Sequence, residues 1–217
     1  MVAEQEESED ESLRIDCPVL VPERLVLRPP HDDDVSDLAK LANSRRVAEM
    51  LARMPHPYGV REARAFVEMA RKRHAAGCVY AVTIAESGAF IGCAGLNGTE
   101  RGLELGYWIG EPHWGHGYAT EAAHALVDLA FRASDIEVLH VACRVINGAS
   151  RRVIHKCGFQ YAGQGMMDSI AAGRTPSGVT TRRERRTRRA GIEGRIYMLV
   201  DGVVAAGEAG ACADAGW

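Results

Sequence analysis

No Cys-x-x-Cys pair occurs in the chain, although six cysteines are spread along it: Cys17, Cys78, Cys93, Cys143, Cys157 and Cys212. Several of them sit in apolar, strand-like runs. They read as buried thiols of a reducing compartment rather than as a disulfide or metal framework. No apolar run reaches the length of a membrane span, and the N-terminus is acidic where a secretory signal would be basic. A soluble, cytoplasmic protein without a membrane partner is expected. Net charge is small, −3 at pH 7, so the overall field argues neither for nor against a polyanionic partner. The dense basic run at residues 182–189 contains one Glu and no aromatic residue. That composition suits a solvated or disordered loop, and a nucleic-acid partner is not expected. His113-x-x-His116 has no third ligand at metal spacing, so no metal is expected.

What remains is a chain of one ordinary domain's length, 217 residues. Its Glu-, Asp- and Ser-rich opening cannot bury enough surface to order itself. The expected division is a disordered acidic tail at 1–20, a domain at 21–201 with an irregular basic loop at 171–192, and a low-complexity tail at 202–217. Leu25-Val26-Leu27 reads as a short strand stopped by Pro29-Pro30. Asp32 or Asp33 can cap a helix carrying Val35, Leu38, Leu41 and Ala42, which is expected to continue to Met54 with a break near Asn43-Ser44. A second helix is expected over 60–75. Strands at 79–86, 89–96 and 103–109, separated by Ser87-Gly88 and by Asn97-Gly98 through Gly102, predict an antiparallel meander. A helix over 119–133 and a strand over 138–145 add a right-handed parallel crossover. A further helix over 149–156 ends at Cys157-Gly158, a strand starts at Phe159, and residues 195–201 can form another.

Two motifs carry chemistry. The first is the strand Leu103-Glu104-Leu105-Gly106-Tyr107-Trp108-Ile109 followed by the turn Trp114-Gly115-His116-Gly117-Tyr118-Ala119-Thr120 and a helix. Strand, glycine turn and helix N-terminus form a geometry that holds a phosphate, because the first-turn N–H groups lack intrahelical partners and the helix dipole favours negative charge. No Gly-Lys-Ser/Thr follows, which excludes a P-loop, and the third glycine of a dinucleotide fingerprint is missing. The second motif is Asn147-Gly-Ala-Ser150, continuing to Lys156-Cys-Gly158-Phe159. By itself it reads as helix capping, with Asn147 as the cap and Ser150 in the first turn. Beside the glycine turn it gains a second reading. Asn147 can exchange hydrogen bonds with amides, and Ser150 can donate to a leaving sulfur.

The glycine turn, with Trp114 in the place of a Gln/Arg, resembles the pyrophosphate loop of the GNAT acyltransferases. The Asn-x-x-Ser segment is similar to theirs as well. The flanking Tyr107-Trp108, the Ala119-Thr120-Glu121-Ala122 run and the opening Glu23-Arg24-Leu25-x-Leu27-Arg28 resemble the RimJ/RimL-like branch. The likeness spans roughly residues 22–168.

This resemblance implies an α/β fold: a GNAT-like mixed, strongly twisted sheet with helices on both faces, and a strand bulge that opens the sheet for pantetheine. It implies an acetyl-CoA-dependent N-acyltransferase, with acetyl-CoA as co-substrate, a primary amine as acceptor and direct attack on the thioester. Amides of Gly115, His116, Gly117, Tyr118, Ala119 and Thr120 would hold the pyrophosphate, with Trp114 beside them. Tyr107, Trp108, Ile109 and Asn147 would hold pantetheine. Ser150 would assist thiolate departure and Glu104 would receive the amine proton. Many relatives carry an acid shortly after Gly-Phe, whereas residues 160–163 hold none. Acceptors in the family include protein N-terminal α-amines, antibiotics and small metabolites, and the two helices after the first strand wall the acceptor groove. A monomer or homodimer is expected. The reading from another class is a non-catalytic, regulatory CoA-binding module.

Overall fold

A computed structural model describes residues 17–72, 77–166, 169–172, 177–184, 198–200 and 203–205. The strands are β1 (Leu25–Arg28), β2 (Gly77–Ile84), β3 (Phe90–Thr99), β4 (Gly102–Ile109), β5 (Val138–Arg144), β6 (Gln160–Met166), β7 (Ser177–Glu184), β8 (Met198–Val200) and β9 (Val203–Ala205). The helices are α1 (Val35–Ala42), α2 (Arg45–Ala48), α3 (Val60–Arg71), α4 (Tyr118–Ala133) and α5 (Gly148–Lys156). Seven strands form one sheet in the order β1-β2-β3-β4-β5-β7-β6, and β8 and β9 form a separate hairpin. The first four strands are an antiparallel meander. The β4–β5 pair, joined through α4, is parallel.

Strand alternation divides the core between the two faces. Leu103, Leu105 and Ile109 of β4, with Leu139, Val141 and Cys143 of β5, pack against Ala122, Ala123 and Leu126 of α4 and Ile154 of α5. On the opposite face Ala81, Phe90 and Cys93 pack against Val35, Leu38 and Ala42 of α1 and Ala63 and Val67 of α3. Four of the five described cysteines are buried in these layers, and none of the five is in a disulfide among the described residues; Cys212 lies outside the described residues. No helix among the described residues is long and apolar enough to cross a membrane.

Several expectations are corrected. The helix expected to reach Met54 does break at Asn43-Ser44, where Ser44 takes an extended conformation and caps α2 by accepting the Val47 N–H, but the continuation α2 ends at Ala48, short of Met54. The acid that stabilises the entry to α1 is Asp34, not Asp32 or Asp33: its carboxylate accepts the His31 N–H at 2.8 Å and both Arg28 Nη groups at 2.8 Å. Helix α3 stops at Arg71, short of the expected Ala75. The largest change concerns residues 171–192, expected as an irregular basic loop. Within them Ser177–Glu184 is strand β7, inserted between β5 and β6 and antiparallel to both. Residues 185–189 of the basic run lie outside the described residues, as does the acidic opening at 1–16. Leu20, assigned above to the acidic tail, exchanges two backbone hydrogen bonds with Leu27 at 2.9 and 2.8 Å, and Cys17 donates to the Gly77 carbonyl.

Close strand approach makes the glycines of β3 structural. A Cβ on Gly95 would lie 2.5 Å from the Cys78 carbonyl oxygen, whereas one on Gly88 would meet nothing within 4 Å. Because the clash is with backbone, Gly95→Ala is expected to force β2 and β3 apart at about 3 kcal/mol or more, the upper end for overpacking. Gly88→Ala carries only the cost of its left-handed backbone (φ +70), about 1–2 kcal/mol. Thermal unfolding of the two variants checks the order; a Gly95→Ala protein as stable as Gly88→Ala contradicts the packing.

Candidate active site

The sheet opens between β4 and β5. The two strands share only the register pairs Glu104↔His140 and Leu105↔Val141. Beyond them, Gly106 to Ile109 stay paired with β3, and Ala142 to Arg144 stay paired with β7. Each strand thus has its hydrogen bonds on the outer side, and the inner side is left as a gap lined by backbone groups. The β3–β4 register runs without a shift from Gly92↔Ile109 to Thr99↔Gly102. The bulge implied by the family resemblance is therefore absent from this pair, and the parting begins at Gly106.

The N-terminus of α4 faces the connection from β4. Gly115 and Gly117 hold φ of +83 and +81, a conformation that favours glycine, and Gly117 is the N-cap. Intrahelical bonding begins with the Thr120 and Glu121 N–H groups, both donated to the Gly117 carbonyl at 3.0 and 3.1 Å. The N–H groups of Tyr118 and Ala119 precede the ladder, and those of Gly115, His116 and Gly117 lie in the turn ahead of it. This is an anion cradle of backbone donors, suited to a pyrophosphate. Thr120, included above among the donors, already spends its N–H on Gly117.

Arg24 supports the cradle from outside. Its backbone N–H donates to Glu121 Oε1 at 2.6 Å and its Nε to Glu121 Oε2 at 2.8 Å. Its Nη1 donates to the His116 carbonyl at 3.0 Å, and the guanidinium lies 5.1 Å over the Tyr118 ring. His116 in turn stacks on Tyr118 at 5.5 Å. Arg24 therefore neutralises a carboxylate in the first helical turn, where it would repel a phosphate, and braces the turn. The sequence reading did not single out Arg24 or Glu121. Their signal was a charged residue in each flank of the resemblance, Glu23-Arg24 and Thr120-Glu121.

Ser150 lies at the mouth of the gap on the α4/α5 face. Asn147 caps α5, its Oδ1 accepting the Ser150 N–H at 3.0 Å. The Tyr107 and Ser150 hydroxyls are 2.8 Å apart. Burial pushes the Tyr107 phenol above its ordinary pKa, and the hydrogen bond to Ser150 pulls in the opposite direction. Cys143 is also raised by burial, with the Ser150 hydroxyl acting against it. The opposite face carries Glu104, which alternates with Leu103 and Leu105 and so shares the side of Trp108. Burial raises the Glu104 carboxyl above its ordinary range, and the positive charges of Arg53 and Arg101 hold it partly back. Arg53, also missed by the sequence reading, follows a segment tied to the far side of the gap. The Arg144 Nη1 donates to the Glu49 carbonyl, Ser169 Oγ to Leu51 O at 3.0 Å and Ile170 N–H to Ala52 O at 2.9 Å.

Trp108 and Trp114 each make a contact within the scaffold. Trp108 packs edge-on against Phe90, with ring centroids 6.2 Å apart, in the α1/α3 core. Trp114 donates from Nε1 to the Ile109 carbonyl at 2.6 Å, which ties the turn to the end of β4 and occupies that carbonyl. A hollow of about 690 Å³ near Asn43, Tyr58 and Glu62 touches none of Glu104, Tyr107 or Ser150. Among the described residues no His, Cys, Asp and Glu group is arranged to hold a metal ion.

The model of the acetyltransferase (GNAT) domain matches residues 24–160, from the Arg24 clamp through the gap to β6. The chain belongs to the GNAT acetyltransferase family. It is an acetyl-CoA-dependent acyltransferase of RimJ/RimL-like type, with acetyl-CoA as co-substrate. Among its relatives, an uncharacterized N-acetyltransferase p20 of Bacillus licheniformis is 28% identical over 149 residues, 66% of this chain and 83% of that one. The ribosomal-protein-serine acetyltransferase of Escherichia coli is 29% identical over 93 residues, 42% of this chain and 52% of that one. Among solved structures, Mycobacterium smegmatis RimJ in complex with CoA-disulfide superposes with a TM-score of 0.66 at 20% identity, covering 77% of this chain and 86% of that one. At that identity the likeness speaks for the fold.

The conformation of Gly117 gives the cradle a direct test. A valine there would have to adopt a left-handed backbone, while its Cβ would sit an ordinary 3.5 Å from Arg24 Nη2. Gly117→Val is expected to weaken acetyl-CoA binding at least tenfold, about 1.4 kcal/mol, with the fold retained. Unchanged affinity by calorimetry removes the cradle from the site.

Proposed function

We propose that the enzyme acetylates a primary amine of low pKa, a protein N-terminal α-amine or a similar group. Glu104 receives the amine proton and Ser150 stabilises the departing thiolate. The observation that carries this reading is the parted β4–β5 pair, with Glu104 on one face and Ser150 on the other. An acetyl thioester in the gap would be open to attack from the Glu104 side and to sulfur departure on the Ser150 side. Pantetheine would hydrogen-bond the unpaired inner edges of β4 and β5 and the Asn147 amide, and the Gly115–Ala119 amides would hold the pyrophosphate.

The choice of amine follows from proton chemistry. Attack requires a neutral nitrogen. An α-amine with a pKa of about 7.7–8.0 is roughly a tenth neutral at pH 7, whereas a lysine-type amine near 10.4 is neutral in only about one molecule in two thousand. Glu104 stands without a second acid in residues 160–163, beside the positive charges of Arg53 and Arg101. A single carboxylate in that setting suits an amine that needs little help, and the arginines disfavour a polycationic acceptor. The kinship with a ribosomal-protein-serine acetyltransferase points the same way. An acceptor screen reading thiol release, with α-amino peptides against aminoglycosides and polyamines, decides the substrate class. Faster turnover of the polyamines overturns it.

Glu104→Gln tests the base in two ways. It is expected to lower kcat/KM mainly below pH 8, with much of the loss recovered at higher pH, where the amine is already neutral. The second test is stability. Burial raises the Glu104 pKa in the folded protein, so its contribution to stability is present below the unfolded value and lost as pH rises through the folded one. Gln carries no such cost. The melting temperature of Glu104→Gln relative to wild type is therefore expected to rise between acidic and neutral pH. A pH–rate profile unchanged by the substitution excludes Glu104 as the base.

A further inference from the structure

The Tyr107–Ser150 contact joins two elements 43 residues apart in sequence. The backbone of Ser150 is held by Asn147, whose Oδ1 takes the Ser150 N–H. Its hydroxyl hydrogen is a free rotor unless a neighbour directs it. The Tyr107 phenol has two acceptors in reach, Ser150 Oγ at 2.8 Å and the Ser150 carbonyl at 3.3 Å. The shorter contact lies at the ordinary O–H···O distance. A phenol donating to Oγ occupies one lone pair of the serine and leaves its hydrogen for a third partner.

We propose that Tyr107 is a positioning residue for the leaving sulfur: its O–H donates to Ser150 Oγ and thereby aims the Ser150 hydroxyl hydrogen at the thiolate formed from acetyl-CoA. This rests on the role given to Ser150 above. Burial keeps the phenol protonated across the working range, so it remains available as a donor.

In the reaction the amine lone pair forms the N–C bond and the C–S pair moves to sulfur. The amine proton passes to Glu104 and then to solvent. An ordinary thiol has a pKa of about 8.5, far below that of an aliphatic hydroxyl. The sulfur therefore departs as thiolate without taking the serine's proton, and later gains one from water. Ser150 acts by donating a hydrogen bond to charge that develops in the transition state. A bond donated into its oxygen polarises its O–H and strengthens that donation. The pair thus works as one chain, phenol to hydroxyl to sulfur.

The experiment is a double-mutant cycle on the full chain with Tyr107→Phe, Ser150→Ala and both, reading kcat and KM for acetyl-CoA at several pH values. Phenylalanine keeps the ring, so the melting temperature is expected to stay within a few degrees of wild type. Tyr107→Phe is expected to lower kcat several-fold at every pH while KM moves less than twofold. The same change made in Ser150→Ala is expected to alter kcat less than twofold, because the hydroxyl through which it acts is gone. A packing role would lower kcat equally in both backgrounds, and that result overturns the proposal. So does a loss confined to KM, or wild-type activity in Tyr107→Phe. A silent Ser150→Ala overturns the assignment of Ser150 itself. Loss in Ser150→Ala with a silent Tyr107→Phe overturns only the part given to the phenol.

Discussion

The hydrogen-bond bookkeeping of β4 and β5 governs the rest of the molecule. A strand buried in a sheet normally satisfies its backbone on both sides. Here the parallel pair makes contact at Glu104↔His140 and Leu105↔Val141 and then opens, because β3 holds one strand and β7 the other. The open inner edges are donors and acceptors left without a strand partner inside a protein, at a place where a polyamide such as pantetheine can supply one. Helix α4 begins beside the same opening with its own unladdered N–H groups, and α5 brings Ser150 to it. This continuous surface is where the proposed ligand, with an anionic end and an amide-bearing arm, would lie.

Electrostatics assign different tasks to different parts of that surface. The turn at Gly115–Ala119 attracts negative charge through backbone dipoles, and the acid in the adjacent helical turn, Glu121, is held by Arg24. On the far face the only carboxylate singled out in the strand, Glu104, is partly desolvated and has arginine charges near it. The hydroxyl pair on the near face is uncharged. In the proposed reaction, Glu104 as proton acceptor and Ser150 as thiolate stabiliser would be separated by the thickness of the sheet, which would keep an ionised carboxylate away from the sulfur as it becomes negative.

Much of this was legible in the sequence because it is written in short-range patterns. Ser87-Gly88 punctuates the meander, and Ala122, Ala123, Leu126 and Ala130 mark α4. Alternation around Leu103 and Leu105 places Glu104 opposite the core, and Asn147 with Ser150 marks the start of α5. What escaped depends on distant partners. Strand β7 carries glycine and arginine and lacks an apolar alternation; its place is set by the unpaired edges of β5 and β6, with Val179, Thr180 and Thr181 as its β-branched signal. The Asn43-Ser44 pair marks the break after α1, but not the bond that Ser44, besides capping α2, donates to Glu111 at 3.0 Å after β4. Trp114 resembles a loop residue facing ligand, yet its indole is committed to the Ile109 carbonyl. Arg24 is an ordinary surface arginine until β1 is laid beside α4.

The insertion of β7 between β5 and β6 also sets an order of assembly. As the chain is synthesised, β1 to β4 and α4 emerge as mostly local, sequential pairings, the kind that form early and at low entropic cost. Strand β5 follows with one short parallel contact to β4 and no support on its other edge until Ser177–Glu184 arrives. The half of the gap nearest the cradle is therefore built first. The half that carries Cys143 and leads into Ser150 gains its outer support only when late residues return to the middle of the sheet. The sheet around the gap is thus completed only by the late strand β7.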